Sequence, residues 1–149
     1  MPLNHESSAV EIVAELVSAG SPERAASSQG FFKTGPGEYG EGDRFLGLAV
    51  PALRSYAKLL RGLPAAVIVE LLADEFHEVR MLALFVLTEN YRRQDDRPGW
   101  VQLYRDAVRA GRVNNWDLVD CSAAAVLGDW LVRSDGVDEL LRWASADDL

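Results

Sequence analysis

The segment with the clearest chemical potential runs from Asn114 to Asp120 and reads Asn-Asn-Trp-Asp-Leu-Val-Asp. Trp116 and Asp120 are four residues apart, so in a helix they share one face. This spacing predicts an indole beside a carboxylate. A purely structural interpretation stays open, in which Asn115 caps the helix, Asp117 favours the positive helix end and Trp116 packs.

A second candidate is a short basic stripe. Arg54 and Lys58 are four residues apart, and Arg61 follows closely. Such a stripe suits the phosphate oxygens of a nucleic acid. A helix face that is merely exposed to solvent explains the same pattern equally well.

The string His77-Glu-Val-Arg80 opens a third segment with apolar residues at helical spacing. A role for His77 or Arg80 in a site is one possibility. The more ordinary interpretation is that Glu78 and Arg80 are stabilising surface charges near the start of a helix.

The segment 33–43 carries four glycines and a proline, too many for the interior of a helix or strand. Its string from Gly35 to Gly40 matches the dinucleotide-binding fingerprint as text. That fingerprint requires a preceding strand and a following helix, and acidic residues here would face the pyrophosphate. We therefore expect a surface loop, or a loop beside a nucleic-acid backbone that Lys33 and Arg44 contact.

Several classes of site are excluded by composition. Cys121 is the only cysteine, which excludes an intrachain disulfide, and His5 and His77 are too far apart in sequence to suggest a metal cluster. The first six residues lack the features of a signal peptide, and no apolar run is long enough to span a bilayer. We expect a cytoplasmic protein with no metal, no cofactor and no membrane association.

The formal net charge of -8 opposes nucleic-acid binding if it is spread evenly. However, residues 1–61 hold six cations against seven acids, so most of the acidic excess lies in residues 62–149. The N-terminal part of the chain could therefore present a basic face.

The elements that must position these residues are helices, because no convincing alternating strand pattern is present. Ser8 and Glu11 predict a capping box, and Gly20 predicts the end of the first helix. Its apolar pattern comprises Val10, Val13, Ala14 and Val17.

A second, short helix should begin at Ser21-Pro22 and run to about Phe31 or Phe32. Further helices are predicted to begin at Pro51, at Pro64, near Glu75, at Pro98, near Asn115 and near Asp135.

Two segments, Leu71–Glu75 and Leu140–Ala144, look like weak copies whose separation would hold two units of roughly 35 residues. Helix pairs of that length stack as a solenoid. In this register residues 146–149 correspond to the approach to His77, so we expect the chain to stop within a repeat.

Taken together, four strings have the same order and spacing as in a known family. From about residue 25 to its end, the chain resembles the AlkD-type DNA alkylation repair family. The resemblance implies an all-α superhelix of HEAT-like repeats whose concave, basic face holds duplex DNA. The strings are Phe31–Gly35 through Arg44–Gly47, Pro51–Arg54, His77–Arg80 and Trp116–Asp120.

The resemblance also implies catalytic roles for Trp116 and Asp120, and places an aromatic residue near the lesion at about Phe31. The implied substrates are N3- or N7-alkylated purines, which are cationic and leave readily, so the enzyme mainly stabilises an oxocarbenium-like sugar. Trp116 would contact the deoxyribose and the cationic purine, and Asp120 would stabilise the developing charge and position water. The family is thought to act without flipping the base, unlike most glycosylases.

We thus expect a monofunctional DNA glycosylase acting on double-stranded DNA that contains alkylated bases. The expected unit is a single HEAT-like domain over residues 1–149, the N-terminal portion of the family fold, and a monomer when full length. The family also uses an arginine in the next inner helix, which would lie beyond Leu149. DNA contacts are expected from Phe31, Lys33, Arg44, Arg54 and Lys58.

Two alternatives remain, a non-catalytic binder of DNA and a protein-interaction scaffold. Trp116 and Asp120 on an open face favour the glycosylase, whereas a buried Trp116 beside an exposed basic stripe favours the binder. An acidic or apolar concave surface favours the scaffold.

Overall fold

The computed structural model describes residues 2–93 and 96–146, and the regular structure of this part is helical. The one extended pairing among these residues is an isolated bridge between Arg44 and Phe76. The predicted all-α fold class is therefore confirmed, while the stacking of repeats into a solenoid stays a prediction. The elements are α1 (Ala9–Ala19), α2 (Pro22–Phe31), α3 (Val50–Leu59), α4 (Ala65–Leu72), α5 (His77–Arg93), α6 (Arg97–Arg109), α7 (Trp116–Asp120), a π-helix (Ala124–Gly128), α8 (Asp129–Ser134) and α9 (Val137–Ala144).

The predicted capping of the first two helices is confirmed. The Ser8 hydroxyl accepts from the backbone N–H of Glu11 at 3.3 Å, and the Glu11 carboxylate accepts from the backbone N–H of Ser8 at 2.8 Å. The Ser21 hydroxyl accepts from the backbone N–H of Arg24, and Pro22 occupies the first position of α2. These bonds satisfy amide groups that a helix start leaves without partners.

The buried side of α1 differs from the predicted one. Ala9, Ile12 and Leu16 are buried, whereas Val10 and Val17 are largely exposed. Both sets have helical spacing, so periodicity alone does not distinguish them. The packing of α1 against α4 decides which set faces the core.

The predicted helix starts from Pro51 to Pro98 lie within about two residues of the observed ones. The helix predicted to begin near Asn115 is α7, and the π-helix and α8 follow it before α9, which begins close to the predicted start near Asp135. At the break after α7, the Ser122 hydroxyl donates to the carbonyl of Leu118 one turn earlier. Such side-chain bonds compete with the helical ladder and bend it.

Helix α5 is the centre of the packing, in contact with α3, α4, α6, α7 and the π-helix. The interpretation of Glu78 and Arg80 as surface charges is wrong, because both side chains are buried. They are buried since the segment after α2 and the start of α7 cover the N-terminus of α5.

The two weak sequence copies differ in burial. Leu71 and Leu72 lie in the core, whereas Leu140 and Leu141 of α9 are exposed. The predicted correspondence of residues 146–149 with the approach to α5 lies outside the described residues, apart from Ala146. Within the described ranges, no helix combines the length and apolarity that crossing a membrane requires.

Candidate functional site

The two carboxylates of α7 have different surroundings. Asp117 accepts a 2.7 Å hydrogen bond from His77 Nε2 and is partly buried. The Asp120 carboxylate is exposed and forms no hydrogen bond or ion pair with any described residue. Leu118, between them in sequence, is buried against the core. The helix is therefore anchored through Leu118 and Asp117, which leaves Asp120 open to a ligand.

Trp116 belongs to a small aromatic cluster at the surface. Its ring centroid lies 6.3 Å from that of Phe31 and 5.7 Å from that of Phe32. Trp116 is 49% exposed, and Phe31 is more exposed still. The C-terminal end of α2 thus brings Phe31 beside Trp116, and the two rings present a shared aromatic surface.

Beneath this cluster lies a buried group of ionic side chains. Asp43 Oδ2 is 3.2 Å from His77 Nδ1, and Asp43 Oδ1 accepts from Arg80 Nη2 at 2.7 Å and from Asn114 Nδ2 at 2.9 Å. Arg80 also donates to the Asn114 side-chain oxygen. The group joins the loop before α3, the start of α5 and the approach to α7.

The ionisation of this buried group follows from its contacts. Burial alone would raise the pKa of Asp43, but hydrogen bonds from His77 and Asn114 and the charge of Arg80 together lower it to about 2. Burial alone would lower the pKa of His77, but hydrogen bonds to Asp117 and Asp43 outweigh it and raise the pKa. Both effects favour an imidazolium between two carboxylates.

Glu78 anchors the loop in a second way. Its two carboxylate oxygens accept from the backbone N–H groups of Leu46 and Gly47, at 2.9 and 3.0 Å. Gly47 has φ of +81°, a conformation that suits glycine. The sequence interpretation missed this anchor, and the partners lie 31 and 32 residues apart, beyond the reach of any local pattern.

The predicted capping of α7 by Asn115 is wrong as far as the side chain is concerned. Asn115 occupies the N-cap position, but its side chain makes no capping hydrogen bond. That side chain is buried instead, and its carboxamide has no partner among the described residues. The backbone carbonyl of Asn115 accepts from Leu118 and Val119 and so begins the helix.

The basic stripe lines a cleft between α3 and α5. The cleft has a volume of about 220 Å³, and Arg54, Lys58 and Arg61 line it together with Arg92 of α5. Glu89 also lines it and pairs with Arg61 and Arg92. The Arg54 guanidinium lies over the Phe85 ring, 4.3 Å from its centroid. The cleft also reaches Cys121, the residue after Asp120. The structure therefore places the stripe next to α7.

The other two predicted cationic residues lie in the loop region. Lys33 is exposed and has φ of +50° at the end of α2. Arg44 is also exposed, but its guanidinium pairs with Glu75 at 2.6 Å and lies 4.9 Å from the centroid of the Phe76 ring. Lys33 is thus the freer of the two cations.

In the glycine-rich loop, the backbone N–H groups of Gly35 and Gly37 are already bonded and are not available to bind a phosphate. The backbone N–H of Gly35 donates to the Glu38 carboxylate at 2.9 Å, and that of Gly37 donates to Glu41 at 2.8 Å. A dinucleotide-binding loop needs such amides for the pyrophosphate. The rejection of the dinucleotide fingerprint agrees with these contacts.

Thiol chemistry is also disfavoured at this site. Burial, with a contribution from the charge of Asp117, raises the pKa of the Cys121 thiol to about 11. A thiol is nucleophilic only as the thiolate, so Cys121 is unreactive at neutral pH. In the part of the chain that the structure describes, no three His, Cys, Asp or Glu side chains are grouped so that they could hold a metal ion.

The sequence was compared with models of known protein families, with curated proteins and with solved structures. A model of the family described as DNA alkylation repair enzyme matches residues 12–149. Comparisons with curated proteins and with solved structures found no match. The matched range contains the aromatic cluster, the basic cleft and both carboxylates of α7. The chain therefore belongs to the DNA alkylation repair enzyme family.

Proposed function

We propose that the protein is a monofunctional DNA glycosylase that excises N3- and N7-alkylated purines from double-stranded DNA. One observation carries the proposal: Trp116 and Asp120 are exposed on the same short helix, and the next residue, Cys121, lines a cleft together with basic side chains. An aromatic face, a free carboxylate and a cationic surface are the groups that a cationic base in an anionic duplex requires.

The proposed reaction breaks the bond between C1′ of the deoxyribose and the purine nitrogen. The bonding electron pair leaves with the base, which neutralises the positive charge of the alkylated ring. The sugar becomes an oxocarbenium ion, and water then adds to C1′ and releases a proton. The products are the free alkylated base and an abasic site.

Asp120 is the group that meets the developing charge. Two unit charges about 4 Å apart at an effective dielectric near 20 attract each other by roughly 4 kcal/mol. That energy corresponds to about a thousandfold in rate. The value applies when bound DNA covers the carboxylate, because water would otherwise screen it. For a base that already leaves readily, this contribution is substantial.

Trp116 and Phe31 serve the cationic base. The face of an indole attracts a cation within about 6 Å of its centroid. The two rings lie edge to face, so a base or sugar that contacts Trp116 also lies close to Phe31. Because the interaction depends on charge, the aromatic surface favours an alkylated purine over the normal neutral one.

The DNA backbone contacts are assigned to the cations. Arg54 and Lys58 lie in the cleft beside α7, and Lys33 lies at the end of α2 close to Phe31 in sequence. Arg44 would have to exchange its bond to Glu75 for a phosphate. Phosphate contacts of this kind fix the register of the duplex without reading its sequence.

The alternative functions have less support. A DNA binder without activity gives no reason for Trp116 to be half exposed beside a free carboxylate. A protein-interaction scaffold would present an acidic or apolar surface, whereas four cations, Arg54, Lys58, Arg61 and Arg92, line this cleft with one acid, Glu89. The exposed carboxylate and the cationic cleft therefore favour the glycosylase.

The test measures release of 7-methylguanine from duplex DNA by the full-length protein, with Asp120→Asn as the variant. Asp138→Asn, an exposed acid on α9, is the matched control. We expect release by the parent and the control, and a rate lower by about a thousandfold in Asp120→Asn. DNA binding by Asp120→Asn should be retained. Release no faster than the spontaneous rate in the parent would make the protein a binding module, and full activity of the variant would remove Asp120 from the mechanism.

A further inference from the structure

His77, the first residue of α5, lies between two carboxylates from different elements. Its Nδ1 is 3.2 Å from Asp43 in the loop before α3, and its Nε2 is 2.7 Å from Asp117 in α7. An ionised carboxylate can only accept hydrogen bonds, so both ring nitrogens donate only when the ring carries two protons. The contacts therefore correspond to an imidazolium that bridges the loop and α7.

The contacts of the His77 imidazole connect it to Trp116 and to the buried ionic group. The ring packs against Phe32 and Phe45, with centroids 5.1 and 4.9 Å away, and these two rings also stack on each other. Phe32 in turn contacts Trp116. The charged groups at the ring edge are Asp43 and Asp117, and Arg80 acts through the Asp43 carboxylate. Asn114 is the neutral member of the same group, also bonded to Asp43. Glu78, the next residue of α5, is engaged with loop amides.

Helix α7 needs such a partner because it is very short. It spans five residues, and a helix of that length does not hold its geometry by its own hydrogen bonds. Two contacts hold it to the core, the burial of Leu118 and the hydrogen bond that Asp117 accepts from His77. Without the second contact, rotation about Leu118 would move Trp116 and Asp120 together.

We infer that His77 is a positioning residue, which as a cation clamps α7 through Asp117 and supports Trp116 through Phe32, so that Trp116 and Asp120 keep their orientation. His77 touches neither substrate nor reacting atoms in this assignment. The inference rests on the proposed glycosylase function for its catalytic consequence. The structural part of the inference, the clamping of α7, does not depend on the proposed function.

The clamp has a definite dependence on pH. Because the carboxylates raise the pKa of His77 above its ordinary value of 6.5, the clamp is complete below that value. It is lost as the pH rises through the raised pKa. The catalytic rate should therefore decline on the alkaline side while the protein stays folded.

The first test replaces His77 with glutamine, whose amide reaches one carboxylate but carries no charge, and uses exposed His5→Gln as the control. We expect kcat of His77→Gln to fall by up to about a hundredfold with little change in KM, because misorientation by about 1 Å has that effect. The alkaline decline of the parent should be absent from the variant. His5→Gln should match the parent in both respects.

Hydrogen exchange tests the clamp separately from activity. Backbone amides in α7 should exchange faster in His77→Gln than in the parent, whereas those of α1 should not change. Asp117→Asn removes the other end of the bond and should reproduce the effect. Faster exchange in α7 without any parental glycosylase activity would support the clamp and refute the proposed function. Unchanged exchange in α7 together with unchanged kcat would overturn the inference.

A third measurement needs no variant and therefore does not depend on variants folding. Nitrogen-15 spectra of the histidine side chains should show the His77 ring mainly in its doubly protonated form at about pH 6.5, the ordinary histidine pKa. A neutral His77 ring at that pH would overturn the inference.

Discussion

Replacing Asp43 with asparagine removes the acceptor at the centre of the buried ionic group. The Asp43 side chain is 3% exposed and receives hydrogen bonds from His77, Arg80 and Asn114. Asparagine has the same shape but offers one acceptor oxygen and one donor group. In one orientation the amide N–H group of asparagine faces the N–H of His77. In the other orientation it faces the N–H groups of Arg80 and Asn114. The variant therefore loses at least one charged hydrogen bond and leaves a buried cation without its counter-ion.

The expected cost follows from burial. Hydrogen bonds to charged groups contribute about 1.5–3 kcal/mol each. Removing one partner of a buried ion pair costs about 3–5 kcal/mol, because the other charge stays desolvated. We expect the free energy of unfolding of Asp43→Asn to fall by about 3–5 kcal/mol. This is a large fraction of the total stability of an ordinary domain.

Glu75→Gln is the matched control. Glu75 pairs with Arg44 at 2.6 Å, slightly closer than the 2.7 Å between Asp43 and Arg80. However, the Arg44 and Glu75 side chains are 60% and 57% exposed, so this variant should lose less than about 1 kcal/mol. Urea unfolding monitored by circular dichroism measures both variants. Equal losses in the two variants would refute the argument that burial, not distance, decides the contribution.

The same variant has a pH signature. The pKa of Asp43 is lowered from 3.8 to about 2, so its contribution is present above 3.8 and is lost as the pH falls toward 2. A shift of nearly two pKa units corresponds to about 2.5 kcal/mol, of which about 2 kcal/mol is lost by pH 2, where the folded-state group is half protonated. The parent should therefore lose that much more stability than Asp43→Asn between about pH 5 and about pH 2. Parallel stability curves for the two proteins would contradict the assignment.

Two further changes test the loop anchor and the cleft. Gly47→Ala should lower the melting temperature, because φ is +81° and an added Cβ would lie 2.0 Å from the Ser21 carbonyl oxygen. Gly30→Ala in α2, where nothing lies within 4 Å, should raise it slightly, and equal effects would contradict this reading. Arg54→Ala should weaken DNA binding and reduce the slope of log K against log salt by about 1, whereas Arg109→Ala on α6 should leave the slope unchanged. Binding titrations at several salt concentrations check this, and an unchanged slope for Arg54→Ala would remove that residue from the DNA contacts.

The sequence was sufficient to predict where most helices begin. The capping box at Ser8 and Glu11, the Ser21-Pro22 start and the prolines at the starts of α3 and α4 act through hydrogen bonds and backbone sterics within about four residues. The shared face of Trp116 and Asp120, and that of Arg54 and Lys58, follow from the same helical geometry. The glycine-rich loop was equally evident, because glycine and proline disfavour regular structure wherever they stand.

The sequence did not reveal which charges are buried. Glu78 and Arg80 have the pattern of a solvated helix start, yet both lie in the interior. Likewise, the apolar residues of α1 fit two faces, and only packing against α4 selects Ile12 and Leu16. The formal charge of -8 gives no indication of the cationic cleft, since it sums over the whole chain.

What the sequence by itself determined is therefore local: the helix starts, the loop, and the residues that share a helix face. Tertiary structure alone decided that Phe31 meets Trp116, that the basic stripe ends beside Cys121, and that Asp43 collects its partners from positions 34 to 71 residues away. The physical reason is the range of the forces involved. Capping and helical periodicity act within a turn, whereas burial and ion pairing depend on which distant segments exclude water from each other.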